Sequence, residues 1–98
     1  MNINIEKDNG RVVMEIEGRI DTVTAPELEK AINEEGEALK FLVLDFKAVN
    51  YISSAGLRVL LGAQKKMNVQ GGMELINVNE DIMDIFKMTG FADVLVIK

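Results

Sequence analysis

The chain has no cysteine, no histidine and no tryptophan, and only one proline in 98 residues. Each absence closes off a class of chemistry. Without cysteine there are no disulfides and no thiolate metal sites. Without histidine the commonest general base and the commonest metal ligand go together. Lone Pro26 and the lack of any low-complexity tract argue against disorder. No apolar run approaches the length of a membrane span. The first residues, Met1-Asn2-Ile3-Asn4-Ile5-Glu6, alternate polar and apolar character, so a secretory leader is not expected. A cytoplasmic protein of one domain, residues 1–98, is the expectation.

What is present is an ordinary globular composition, 48% hydrophobic and 28% charged. A net charge of −5 argues against nucleic acid as a direct partner. That charge is uneven. From Phe46 to Met73 there is no Asp or Glu, while Lys47, Arg58, Lys65 and Lys66 are all basic. Such a window is either a solvated helix face or a docking face for an acidic partner.

Apolar alternation in Ile3, Ile5 and in Val13, Met14, Ile16 predicts two strands around Asp8-Asn9-Gly10. Asn-Gly between alternating runs is a strong hairpin signal. Thr24-Ala25-Pro26-Glu27 reads as a capping box, with Val23 and Leu28 at the staple positions, and Gly36 stops this first helix. Phe41-Leu42-Val43-Leu44-Asp45-Phe46 predicts a central strand ending near Asp45. A second helix is expected from about Ser54 to Asn68, with Leu57, Leu60, Leu61 and Met67 toward the core. Met73–Val78 predicts a fourth strand, Asn79 caps a third helix, and Val94–Ile97 predicts a last strand. The order is ββαβαβαβ: α/β, with a mixed but mostly parallel sheet, an N-terminal hairpin, and helices packed on the sheet.

The candidate site is the segment Tyr51-Ile52-Ser53-Ser54-Ala55-Gly56-Leu57, where two serines meet a helix start. A serine there is an ordinary cap, because its oxygen satisfies an orphan backbone N–H. The same position is also an anion site, since free N–H groups and the helix dipole favour negative charge. The second helix carries no acid in its first turn, unlike the first (Glu27, Glu29) and the third (Glu80, Asp81).

Gly18-x-Ile20-Asp21, the apolar strand to Asp45, the serine loop, Gly71-Gly72 and Phe86-x-Met88-Thr89-Gly90-Phe91 occur in an order that resembles the STAS family, specifically bacterial anti-sigma factor antagonists. The resemblance covers nearly the whole chain, and the serine loop is its most specific part. It implies a non-enzymatic, protein-binding switch with no cofactor and no metal, monomeric when free. It implies that an anti-sigma factor with serine kinase activity phosphorylates a serine at the second helix and that a PP2C-type phosphatase resets it. By that motif the acceptor maps to Ser54. The family commonly has Asp just before the acceptor; Ser53 stands there instead and is the second candidate. Asp21, Ser53, Ala55, Gly56, Leu57 and Arg58 are then expected to contact the partner. Members often carry one more helix after the last strand, for which this chain, ending at Lys98, leaves no residues.

Two other classes remain. Asp45 could accept phosphate as a strand-end aspartate does in a receiver domain, with Glu6 and Asp8 as the acidic pair for Mg²⁺. Alternatively, the domain is a constitutive scaffold whose serines never react. A serine hydrolase is disfavoured by the missing histidine and the missing G-x-S-x-G elbow, although Lys47 is a formal candidate base.

Overall fold

A computed structural model describes all of residues 1–98. Strands β1 (Asn2–Asp8) and β2 (Arg11–Ile20) form the expected antiparallel hairpin. Asn9 and Gly10 both adopt positive φ, 51° and 85°, as a turn of the type that matches strand twist requires. Helix α1 (Ala25–Glu34) leads through a 3-10 turn to β3 (Phe41–Ile52). Then follow α2 (Ser54–Gln70), β4 (Gly72–Ile76), α3 (Glu80–Thr89) and a last 3-10 turn at Phe91–Asp93.

The strands lie in the order β1-β2-β3-β4, with β2, β3 and β4 parallel. Each new parallel strand is laid on the same side of the last, so right-handed crossovers carry the helices to one face. Alternation then sorts the side chains. Val12, Met14 and Ile16 of β2, Leu42, Leu44 and Phe46 of β3, and Met73 and Leu75 of β4 are all buried under the helices. Leu28, Ile32, Leu60, Met67, Ile82 and Phe86 come down from the helices to close one continuous core, with the Phe46 and Phe86 rings 6.4 Å apart. The opposite face carries Arg11, Glu15, Glu17 and Asp45, and only Val43 is fully buried there.

Three local expectations need correction. First, β3 does not end near Asp45 but runs on to Ile52. Its pairing with β4 stops at Asp45↔Ile76, whereas its pairing with β2 continues through two irregularities to Ile20↔Ile52. Second, the last strand shrinks to a single parallel bridge, Leu75↔Ile97. It is held by the Leu75 amide donating to the Val96 carbonyl and the Lys98 amide to the Leu75 carbonyl, each at 2.9 Å. The turn that begins at Phe91 carries on into the expected strand, since the Val94 and Leu95 amides both donate to the Phe91 carbonyl, at 3.0 and 2.8 Å. Third, Thr24 makes no capping bond at α1, and Val23 is 79% exposed, so there is no staple. The Thr24 hydroxyl is engaged elsewhere, in the candidate site.

Candidate functional site

The long reach of β3 is what builds the site. Once β4 has ended, β3 and β2 continue as a pair, and their last rungs are Arg19↔Tyr51 and Ile20↔Ile52. The Ser53 amide adds one more rung, donating to the Ile20 carbonyl at 2.8 Å. This ties the serines to the start of the Asp21 turn. Ser53 is extended (φ −96°, ψ 176°), and the helix begins at the next residue.

The two serines then have different surroundings. Ser53 is half-buried and is the cap: its Oγ accepts from the Gly56 amide at 3.4 Å. That bond is long, beyond the usual range for N–H···O. Ser54 is exposed, and its hydroxyl makes no hydrogen bond within the domain. Ala55 is half-buried and Arg58 is exposed. Arg58 pairs with no carboxylate, since the only ion pairs are Lys7–Glu35 and Arg19–Asp21.

Gly56 and Leu57, expected on the contact surface, are instead buried. A Cβ on Gly56 would lie 2.7 Å from both Ile20 Cγ2 and Ile52 Cγ1. The glycine therefore lets the first turn of α2 rest on the ends of β2 and β3. It sets the height of Ser54 above the sheet rather than clearing space beside it.

Asp21 stands next to this loop, and one of its carboxylate oxygens gathers donors from the turn. Its Oδ1 accepts from the Val23 and Thr24 amides, both at 3.0 Å, and from the Thr24 hydroxyl at 3.2 Å. Its Oδ2 lies 3.7 Å from Arg19 Nε. These donors, the Thr24 amide foremost, hold its carboxyl below the ordinary aspartate range. The Thr24 hydroxyl has one proton to share between this carboxylate and the Arg19 carbonyl, the nearer acceptor at 2.6 Å, and it accepts from the Asp21 amide at 2.8 Å. The reading of Thr24 as a helix cap failed because β2 recruits that hydroxyl first.

Arg19 and Tyr51 were not singled out from the sequence. The guanidinium sits 4.2 Å from the Tyr51 ring centroid. No local sequence pattern announces this pair, because two irregularities in the β2–β3 register are what make these residues neighbours.

The receiver-like residues are not brought together. Asp45 lies inside β3, its Oδ1 accepting from the Lys47 amide at 2.9 Å and from Asn77 Nδ2 at 3.1 Å. Asp8 is level with Arg11 and Phe41, four rungs away from Asp45. No group of three or more carboxylates is placed to hold a metal ion.

Known proteins share this fold. The profile of the STAS domain matches residues 2–98. The chain belongs to the STAS family. It is 31% identical over 96 residues to an anti-sigma-B factor antagonist of Bacillus subtilis, covering 97% of this chain and 88% of the relative. Among solved structures, an anti-sigma factor antagonist from Mycobacterium paratuberculosis superposes with a TM-score of 0.87 at 28% identity, covering 98% of this chain and 83% of that one. The antagonist SpoIIAA has the same fold in its unphosphorylated form, with a TM-score of 0.79 at 18% identity, covering 99% and 87% of the two chains. A phosphorylated form of SpoIIAA superposes as well, with a TM-score of 0.77. No helix in this STAS domain is long and apolar enough to cross a membrane.

Proposed function

We propose that this domain is an anti-sigma factor antagonist that works as a binding switch, with Ser54 as its phosphate acceptor. Unmodified, it engages an anti-sigma factor that is also a serine kinase; phosphorylated, it lets go, and a PP2C-type phosphatase restores it. The domain contributes a hydroxyl, while ATP, Mg²⁺ and the catalytic base belong to the kinase.

The observation that carries the choice of serine is the unequal engagement of the pair. Ser53 is spent on the cap, whereas Ser54 offers a free, exposed hydroxyl on the first residue of α2. A phosphate there meets unpaired N–H groups and an uncompensated dipole, so the fold accommodates it. Two likenesses support the reading: a relative is called an anti-sigma-B factor antagonist, and one protein of this fold is known in a phosphorylated form.

The test is mass-spectrometric mapping of phosphate on the native protein from its own cells, followed by purification of the kinase that installs it. Phosphate on Ser54, lost in Ser54→Ala and kept in Ser53→Ala, is expected. Phosphate on Ser53 shifts the register by one residue. Acid-labile phosphate on Asp45 turns the reading into a receiver, and no phosphate at all leaves a constitutive scaffold.

A further inference from the structure

Arg58 has no partner within the domain. Its side chain is exposed and takes part in no ion pair, no side-chain hydrogen bond and no aromatic stack. On a helix the residues three and four away are the neighbours. For Arg58 these are Ser54 and Ala55 before it and Leu61 and Gly62 after it, so its one polar neighbour is Ser54. That neighbour is exposed too, and its hydroxyl is free. Both residues lie on the solvent-facing stripe of α2, with Gly62, Lys65 and Val69.

We infer that Arg58 is the internal counter-ion of a phosphate on Ser54. The inference rests on the reading of Ser54 as the phosphate acceptor and names the residue that holds the modified state. Spacing and direction support it, since an acid four residues N-terminal to a base is the better order on a helix. Electrostatics support it as well. Helix α2 puts its first cation one turn from the positive end of its dipole, with no acid there to offset it. A phosphate on Ser54 offsets both the dipole and the arginine. The chemistry fits, because a guanidinium is a planar fork of N–H donors that two phosphate oxygens accept together. Asp21 does not compete for Arg58. It is the one titratable residue in the turn that the Ser53–Ile20 rung brings to α2, and its carboxylate already holds the Val23 and Thr24 amides and lies beside Arg19. Lys65, the next cation on the exposed stripe, stands roughly 16 Å from Ser54 at the rise of a helix. Phosphorylation then changes this turn twice. It adds an anion of about −1.5 to −2 charges, and it takes the free cation beside that anion off the surface.

The test introduces the phosphate at Ser54 as genetically encoded phosphoserine, so that no kinase is needed, and titrates it by phosphorus NMR at low salt. With Arg58 present, the second phosphate pKa should lie below the value of about 6 for an unpaired phosphoserine. Arg58→Gln should raise it by about 0.3–0.5 of a pH unit, the size of an exposed i,i+4 pair. Arg58→Lys should fall between the two, because the ammonium keeps the charge and loses the fork. Lys65→Gln should leave the pKa unchanged, and salt at about 1 M should erase the difference between Arg58 and Gln. The phosphate should also raise the melting temperature more with Arg58 present than in Arg58→Gln. A phosphate pKa that is the same with and without Arg58, or that moves as far in Lys65→Gln, overturns the pairing while leaving the switch at Ser54 intact. Mapping on the native protein decides the switch separately: phosphate found only at another residue overturns the reading of Ser54, however the introduced phosphate titrates.

Discussion

Helices α2 and α3 both begin after an extended residue whose side chain caps the first turn, yet they are finished differently. At α3, Asn79 Oδ1 accepts from the Ile82 amide at 2.8 Å, its Nδ2 reaches the Val49 carbonyl at 3.0 Å, and Glu80 and Asp81 offset the dipole. At α2, Ser53 accepts at 3.4 Å and no acid follows. One start is sealed and locked to the sheet, and the other is left open at the surface. On the proposed reading, the open start is the end that receives the phosphate.

The largest effect expected from this contrast is at Ser54. Ser54→Asp places a permanent acid on the open terminus. Dipole compensation should stabilise the fold by about 0.3–1 kcal/mol. Partner binding should weaken by about 2–4 kcal/mol, as a charge enters an interface fitted to a hydroxyl. The opposite signs are the diagnostic: thermal melting should rise slightly while calorimetric affinity falls. An aspartate that lowers both would mean that the open terminus is not an anion site.

Next come the glycines of α2, which sharpen the contrast within a single helix. Alanine is ordinarily preferred to glycine inside a helix by about 1 kcal/mol. At Gly62 a Cβ meets nothing within 4 Å, so Gly62→Ala should raise the melting temperature. At Gly56 the Cβ would lie 2.7 Å from two buried isoleucines, and overpacking of about 1–3 kcal/mol should outweigh the gain. Gly56→Ala should therefore melt several degrees lower. Equal gains at both sites would show that α2 can lift off the strand ends without cost.

The caps themselves give smaller effects. Asn79→Ala removes both a short capping bond and the tie to Val49, and should cost about 1–2 kcal/mol by denaturant unfolding. Ser53→Ala loses only the long bond and should cost about 0.5 kcal/mol or less. A larger loss at Ser53 than at Asn79 would reverse the ranking of the two starts.

Much of this was legible in the sequence, and the misses share a cause. The hairpin, the helix order, the Asn79 cap and the serine loop follow from local patterns: Asn-Gly, apolar periodicity, a capping residue before an apolar stripe. The length of β3 did not follow, because its second half, Lys47–Ile52, is held by β2 rather than by its own apolar run. Gly56 and Leu57 were expected on the contact surface because they follow the serines in sequence. A helix turns about 100° per residue, so the two residues beyond Ala55 point down, not out. Thr24 carried a correct capping signature, but its hydroxyl is claimed by β2, a tertiary contact that no local pattern records.

The smallest expected effect compares how α1 and α2 are held at their starts as pH changes. The turn before α1 is held by a carboxylate, that of Asp21, whereas α2 is capped by the Ser53 hydroxyl. The donors around Asp21 stabilise its charged form, so its folded-state pKa lies below the ordinary value of 3.8. A depressed acid contributes stability that is present in full above the unfolded pKa and is lost as pH falls through the folded one. Asp21→Asn should therefore melt below wild type by a constant margin from pH 7 to pH 5. That margin should shrink below pH 4 and vanish once wild-type Asp21 is itself protonated. Ser53 has no titrating group, so the offset of Ser53→Ala should stay flat over the same range. Melting curves of the three proteins between pH 7 and pH 2.5 decide it. A margin for Asp21→Asn that persists at the acid end would mean that shape rather than charge holds the turn. A margin that grows with acid would contradict the direction of its shift.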